Sequence, residues 1–174
     1  TVTGRRVPTP TKVCNAVAIQ LGTERPNDVG IITGHIDSRV TDPMNATADA
    51  PGANDDGSGT AAVIEAARVL SKHKYPGTIV YAALSGEEQG LLGSRAYVKE
   101  HFADSLDMKV KPEHAKLSVY LNMDNGGGAF RGVYLQGNEA AAPVFEAWMK
   151  PFHNIGMETL TIRPTGGTDH QAFD

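Results

Sequence analysis

Three short apolar runs, Val29–His35, Thr78–Leu84 and Leu117–Met123, each give way at once to a polar turn that carries acids or histidine. Strands that read as near-continuous apolar runs are covered on both faces, which is the mark of a mostly parallel sheet with helices on its two sides. Helical periodicity fills the intervals. Gly57–Lys74 places Val63, Ile64, Ala67 and Leu70 on one face, and Leu91–Phe102 reads as a second helix. Strands alternating with helices across glycine-rich turns predict the α/β class, specifically a three-layer α/β/α domain with a mixed, mostly parallel central sheet. In such a sheet ligands gather beyond the carboxyl ends of the strands, where these turns lie.

The rest of the chain fits around that frame. Val13–Leu21 alternates as a strand and is expected to form a hairpin with Val29–His35 across the turn-rich link Thr23–Asp28. Residues 38–53, with Pro43, Pro51, Gly52 and many small polar side chains, read as a long loop of the kind usually kept for function. Val133–Gln136 and Glu158–Ile162 read as shorter strands. Between them Asn138 is expected to cap a helix whose stripe of Val144, Phe145, Trp148, Met149 and Phe152 belongs to the core. At 174 residues the chain suits one domain over 1–174, and no internal repeat is visible.

Composition excludes several classes. The net charge of −4 comes without any block of Lys or Arg, so the basic footprint of a nucleic-acid binder is missing. No apolar run is long enough to span a bilayer. Cys14 is the only cysteine, which excludes an internal disulfide framework and a thiolate zinc site, and it is expected as a small core residue. Thr1 opens a polar, Arg- and Pro-containing stretch without a signal-peptide pattern, and Asn45-Ala46-Thr47 matches a glycosylation acceptor that carries little weight. His73, His101, His114 and His153 fall near helix ends or in polar links, and Gly126-Gly127-Gly128 lacks the Lys-Ser/Thr of a phosphate loop.

The turns themselves carry the chemistry. His35 and Asp37 in GHIDS are two apart, so both side chains leave the same face, and one can bind a metal while the other orients it. Asp55 and Asp56 in GANDDGSG stand at a helix start, where capping needs only one carboxylate and the other is free to bridge two cations. Glu87 and Glu88 in SGEEQG are adjacent acids at the tip of a buried strand, a place that calls for compensating cations or a shared proton. Adjacent side chains diverge, so one can ligate while its neighbour acts as general base. Asp124 in NMDNGGG and His170 in GGTDHQAF add one oxygen and one nitrogen ligand. A set of imidazole and carboxylate donors without sulfur suits a pair of Zn²⁺ ions, with Co²⁺ or Mn²⁺ as substitutes.

At these motifs the chain, from about Asn15 to Asp174, resembles the co-catalytic zinc exopeptidases of metallopeptidase family 28, the group that includes bacterial secreted aminopeptidases, carboxypeptidase Q and glutamate carboxypeptidase relatives. The resemblance implies a phosphorylase/hydrolase-like sheet and two zinc ions, with Asp55 as bridge, His35 and Asp124 on one ion, and Glu88 and His170 on the other. It further implies Glu87 as general base, Asp37 as the orienting partner of His35, and hydrolysis of a terminal peptide bond. An aminopeptidase is the first reading. The segment NMDNGGGAFRGVYLQGN is closer to the carboxypeptidase Q branch, so a carboxypeptidase or dipeptidase using Arg131 or Arg163 for the substrate carboxylate stands as an alternative. A single-zinc glutaminyl cyclase-like acyltransferase and a non-catalytic binding domain stand behind it. The family continues beyond the last histidine with a further helix and strand, so 1–174 is expected to be a catalytic domain lacking those elements. By the same analogy the protein is expected to be secreted or periplasmic, with a peptide as its partner; its charge pattern and short apolar runs predict neither nucleic acid nor membrane as a partner.

Overall fold

A computed structural model describes residues 10–42, 44–45, 47–104 and 106–174. The Arg- and Pro-containing opening, Pro43 and the Ala46 of the glycosylation pattern lie outside the described residues. The chain divides into two compact units, one running to Asn125 and resuming with Thr168–Asp174, the other formed by Gly126–Gly167.

The first unit is built on a four-stranded sheet. Its strands are β1 (Ala16–Gln20), β2 (Arg25–His35), β3 (Gly77–Leu84) and β6 (Leu117–Asn122), in the spatial order β1-β3-β2-β6. A short antiparallel pair, β4 (Ala103–Asp104) and β5 (Lys109–Val110), stands apart from it. β2 runs parallel to both β3 and β6, while β1 is antiparallel to β3, so the sheet is mixed and mostly parallel as expected.

The expected hairpin between the first two strands does not form, because both edges of β2 are occupied by parallel strands. The link instead crosses the start of β3. Thr23 N–H donates to the Tyr75 carbonyl and Arg25 N–H to the Pro76 carbonyl, and a Cβ at Gly22 would collide with that proline carbonyl. β1 is thereby left on the far edge of β3. Cys14 lies just before β1 and is exposed, not a core residue.

Helices cover both faces of the sheet. Helix α1 (Gly57–Leu70) presses on β2 so closely that a Cβ at Gly34 would come within 2.8 Å of the Gly59 carbonyl carbon. Ile31, one register step off that face, packs on the opposite side with Val80 and Phe102, against Tyr97 and Val98 of α2 (Leu92–His101). Phe173 stacks on Tyr120 at 3.8 Å and closes this second layer.

α1 stops at Leu70 rather than Lys74. Lys72 and His73 N–H groups turn back three residues, and Gln20 Nε2 donates to the Leu70 and His73 carbonyls. Its inner face holds Val63, whereas Ile64 is 62% exposed, a correction to the expected stripe. β6 is half-buried rather than buried, since β2 is its one partner strand among the described residues.

The second unit pairs β7 (Gly132–Tyr134) with β8 (Thr159–Thr161) in parallel, next to α3 (Ala142–Met149). The apolar stripe expected to be core is largely open: Met149 is buried, but Trp148 is 52% exposed. A two-stranded ribbon is too narrow to cover a helix face, and the chain tightens to a 3₁₀ turn over Lys150–Ile155, which carries Phe152 off the stripe. Asn138 makes no side-chain cap and precedes a 3₁₀ turn, Glu139–Ala141, instead of capping α3.

What matters for function is the shared direction of β2, β3 and β6. Their registers pair His35 with Leu84 and Thr33 with Asn122, so the three carboxyl ends finish at one edge of the sheet. We predict that Gly34→Ala lowers stability by about 1–3 kcal/mol through overpacking against α1. Gly30→Ala, whose added carbon meets Val119 Cγ1 at 3.4 Å, should change it by less than about 1 kcal/mol. Urea unfolding of the two variants checks the contrast.

Candidate metal centre

His35, the last residue of β2, is fixed on every side. Its N–H donates to Asp56 Oδ2 at 2.8 Å, its carbonyl accepts from Thr60 Oγ1 at 2.7 Å, and its ring is 1% exposed. Nδ1 lies 2.9 Å from the Asp37 carbonyl, an acceptor, so the Nδ1 hydrogen points there and Nε2 faces the opposite way, toward the carboxylates.

Carboxylates surround that nitrogen. Asp55 Oδ1 stands 3.2 Å from Nε2, Asp124 Oδ1 3.8 Å and Glu87 Oε2 3.9 Å. Burial opposes protonation of the ring, but Asp124, Asp37 and Glu87 outweigh it and push the His35 pKa up to about 11. The imidazolium is thus drawn in as the positive charge the site demands. Burial raises Asp124 too, yet His35 outweighs it and leaves Asp124 below its ordinary value.

The two adjacent acid pairs divide their work. Asp56 is buried, accepts from Gly59 N–H at 2.9 Å as the cap of α1, and holds the His35 amide; burial lifts its pKa to about 6. Asp55, joined to it by a cis peptide, is left 57% exposed with its oxygen on His35. At the end of β3, Gly86 adopts a positive φ of 76° and turns the chain so that three successive amides converge. Gly86 and Glu87 N–H donate to Asp37 Oδ1 at 2.8 and 3.1 Å, and Glu88 N–H to Oδ2 at 3.1 Å.

The Asp37 carboxylate is therefore the anchor of the Glu87-Glu88 turn. It is the carbonyl of Asp37 that orients His35, the carboxylate being 3.7 Å from Nδ1 and too far for a hydrogen bond. Burial and then the neighbouring acids raise Glu87 to about 7, against the pull of His35. Glu88 is raised as well, chiefly by burial and then by Asp55, and pairs with Arg39 Nε at 2.9 Å. His170 is buried on the turn Asp169–Ala172.

The donor set fits a divalent metal. Among the described residues, ligand atoms of His35, Glu87 and Asp124 all lie within 4.8 Å of one another, in a partly buried site of imidazole and carboxylate donors. Two participants were not found in the sequence reading. Arg39 had a signal, as the one basic residue of the 38–53 loop, and the contact of Asp56 with the His35 amide had none.

Residues 15–174 match the family model described as peptidase family M28. The chain belongs to peptidase family M28. A probable zinc metalloprotease of Pyrenophora teres f. teres is 56% identical over 89 residues, which is 51% of this chain and 18% of that relative. A zinc aminopeptidase from Bacillus subtilis superposes with a TM-score of 0.67 at 30% identity, over 91% of this chain and 36% of that one. A glutaminyl cyclase from an Acidobacteriales bacterium gives the same TM-score at 20% identity, over 91% and 54% of the two chains. That third likeness is one of fold alone. The M28 chain thus spans well under two thirds of the length of these relatives.

The division between Asp55 and Asp56 is testable without any cation. Asp56→Ala should lower metal-free stability by about 2 kcal/mol or more, since it removes a helix cap and leaves a buried amide unpaired. Asp55→Ala, at an exposed position, should change it by less than about 0.5–1 kcal/mol. Chemical denaturation in the presence of a chelator measures both.

Proposed function

We propose that this M28 chain carries the two-zinc centre of an exopeptidase, and specifically of an aminopeptidase. The observation that carries the reading is the buried His35 ring with three carboxylate oxygens within 4 Å of its Nε2. Asp55 would be shared between the two ions, with His35 and Asp124 holding one and Glu88 and His170 the other. Bound there, divalent cations lower the pKa of a water and polarise the scissile carbonyl.

Glu87 acts as the base. With a pKa near 7 set chiefly by burial, it can take a proton from the attacking water and hand it to the departing amine at neutral pH. Asp37 keeps it in place by fixing the backbone of its turn. Asp55 and Glu88 line a cavity of about 270 Å³ with Arg39, Val40, Thr41 and Pro51. Their charges suit a free substrate ammonium, and recognising that group limits cleavage to the amino end. The aminopeptidase reading is supported by the 30% identity to the Bacillus subtilis enzyme.

Arg39 favours a second reading. Its side chain is 70% exposed and lines the same cavity, so a substrate carboxylate would find a partner there, as a carboxypeptidase or dipeptidase requires. Comparing an amino-blocked with a carboxyl-blocked dipeptide separates the two: an aminopeptidase cleaves the carboxyl-blocked one and spares the other.

Glu87→Gln tests the base. Bound metal should persist while turnover falls by roughly 10²–10⁴-fold. Were Glu87 a ligand instead, metal content would fall together with activity.

A further inference from the structure

Three of the proposed ligands each stand two residues beyond a member of one line of side-chain hydrogen bonds: His35 beyond Thr33, Asp124 beyond Asn122 and His170 beyond Thr168. Thr33 and Asn122 are register partners on β2 and β6, and Thr33 Oγ1 donates to Asn122 Oδ1 at 2.8 Å. The other end of the same amide, Nδ2, donates to Thr168 Oγ1 at 2.9 Å. Asn122 is thus the middle of the line. Its planar amide has an acceptor at one corner and donors at the other, so it can hold two hydroxyls at once. Both hydroxyl residues are buried, Thr33 completely.

Pairing of β2 with β6 stops where the ligands begin. Their register ends at Thr33 and Asn122, closed by Met123 N–H on the Thr33 carbonyl at 3.0 Å. Two residues on, the His35 ring and the Asp124 carboxylate stand with Oδ1 3.8 Å from Nε2. The turn that carries His170 lies outside the sheet, and side chains tie it down. Asn122 grips Thr168 from β6, and Ser94 Oγ on α2 donates to the buried Asp169 Oδ1 at 2.6 Å. The bond between Asn122 and Thr33 spans 89 residues of chain and the bond to Thr168 spans 46, so one amide gathers three distant segments.

We infer that Asn122 is a positioning residue for the metal centre: its single amide fixes β2, β6 and the Asp169–Ala172 turn against one another just ahead of the ligands His35, Asp124 and His170. The inference rests on the metal-centre reading. Groups that hold metal ligands in place are generally worth about 10–100-fold in metal affinity. A bond that served folding alone would lower the unfolding midpoint and leave the zinc affinity of the folded protein unchanged.

Zinc affinity, measured on folded protein by competition with a chromophoric chelator, tests this in the unaltered protein, in Asn122→Leu and in Val80→Ala. Leucine has nearly the size of asparagine without its amide and should weaken zinc binding by about 10–100-fold. Val80→Ala opens the core cluster around Ile31 and Phe102 and controls for stability alone, so its zinc affinity should stay within about threefold of the unaltered protein. Should Asn122→Leu not fold, Thr168→Val breaks the bond to the turn and Thr168→Ser keeps it; the valine variant should then show the loss and the serine variant should not. Zinc binding by Asn122→Leu within about twofold of a zinc-binding unaltered protein would overturn this inference and leave the metal centre standing. A Val80→Ala variant as weak as Asn122→Leu would overturn it too, since the loss would then follow stability. An unaltered protein that bound no zinc would overturn the metal-centre reading and this inference with it.

Discussion

Crowding carboxylates around a buried imidazole is the constraint on which the rest of this molecule depends. Two like charges about 4 Å apart, at an effective dielectric of about 20, repel by about 4 kcal/mol. The Glu87 and Asp124 ligand oxygens lie within 4.8 Å of each other, so their repulsion alone is a sizeable share of the stability of an ordinary domain, roughly 5–15 kcal/mol. Positive charge must therefore enter the site. His35 supplies some of it, its pKa driven to about 11 against its own burial, and Arg39 supplies more at Glu88. A pair of divalent cations would take over the part of the charge that His35 carries, displacing the proton from the His35 nitrogen that ligates.

The surrounding structure holds these charges apart from the backbone work that folding also requires. Each adjacent acid pair is split. Asp56 caps α1 and secures the His35 amide while Asp55 is left to the site. Glu87 turns inward and Glu88 toward Arg39, on a turn whose amides are gathered by Asp37. Asp37 is lowered despite burial because His35 and those amides favour its charge, so it remains an anion beside the cluster it organises. The parallel course of β2, β3 and β6 brings all of this to one end of the sheet.

Much of this could be read from the chain. The apolar runs announced the parallel strands, and the acids beyond them marked the site, because side-chain chemistry and strand direction are local properties. Pairing partners are not local. β1 alternates clearly, yet whether it joins β2 or β3 depended on how residues 22–25 cross Tyr75 and Pro76. The α3 stripe misled for a related reason: periodicity identifies an apolar face without saying whether the unit has enough sheet to cover it. The carboxylate of Asp56 securing the His35 amide, and the amide of Asn122 reaching Thr168, are contacts between segments that sequence spacing does not encode.

Membership of family M28 fixes the scaffold, and a likeness in fold to a glutaminyl cyclase shows that the scaffold alone does not fix the reaction. The number of cations the acidic cluster accepts is the physical quantity on which the proposed two-zinc centre turns. The most direct measurement is the zinc content per chain of protein purified without chelator and dialysed against limiting zinc, determined by elemental mass spectrometry. Two zinc ions per chain is the predicted result. One ion would contradict the two-cation centre, and none would contradict the metal centre altogether.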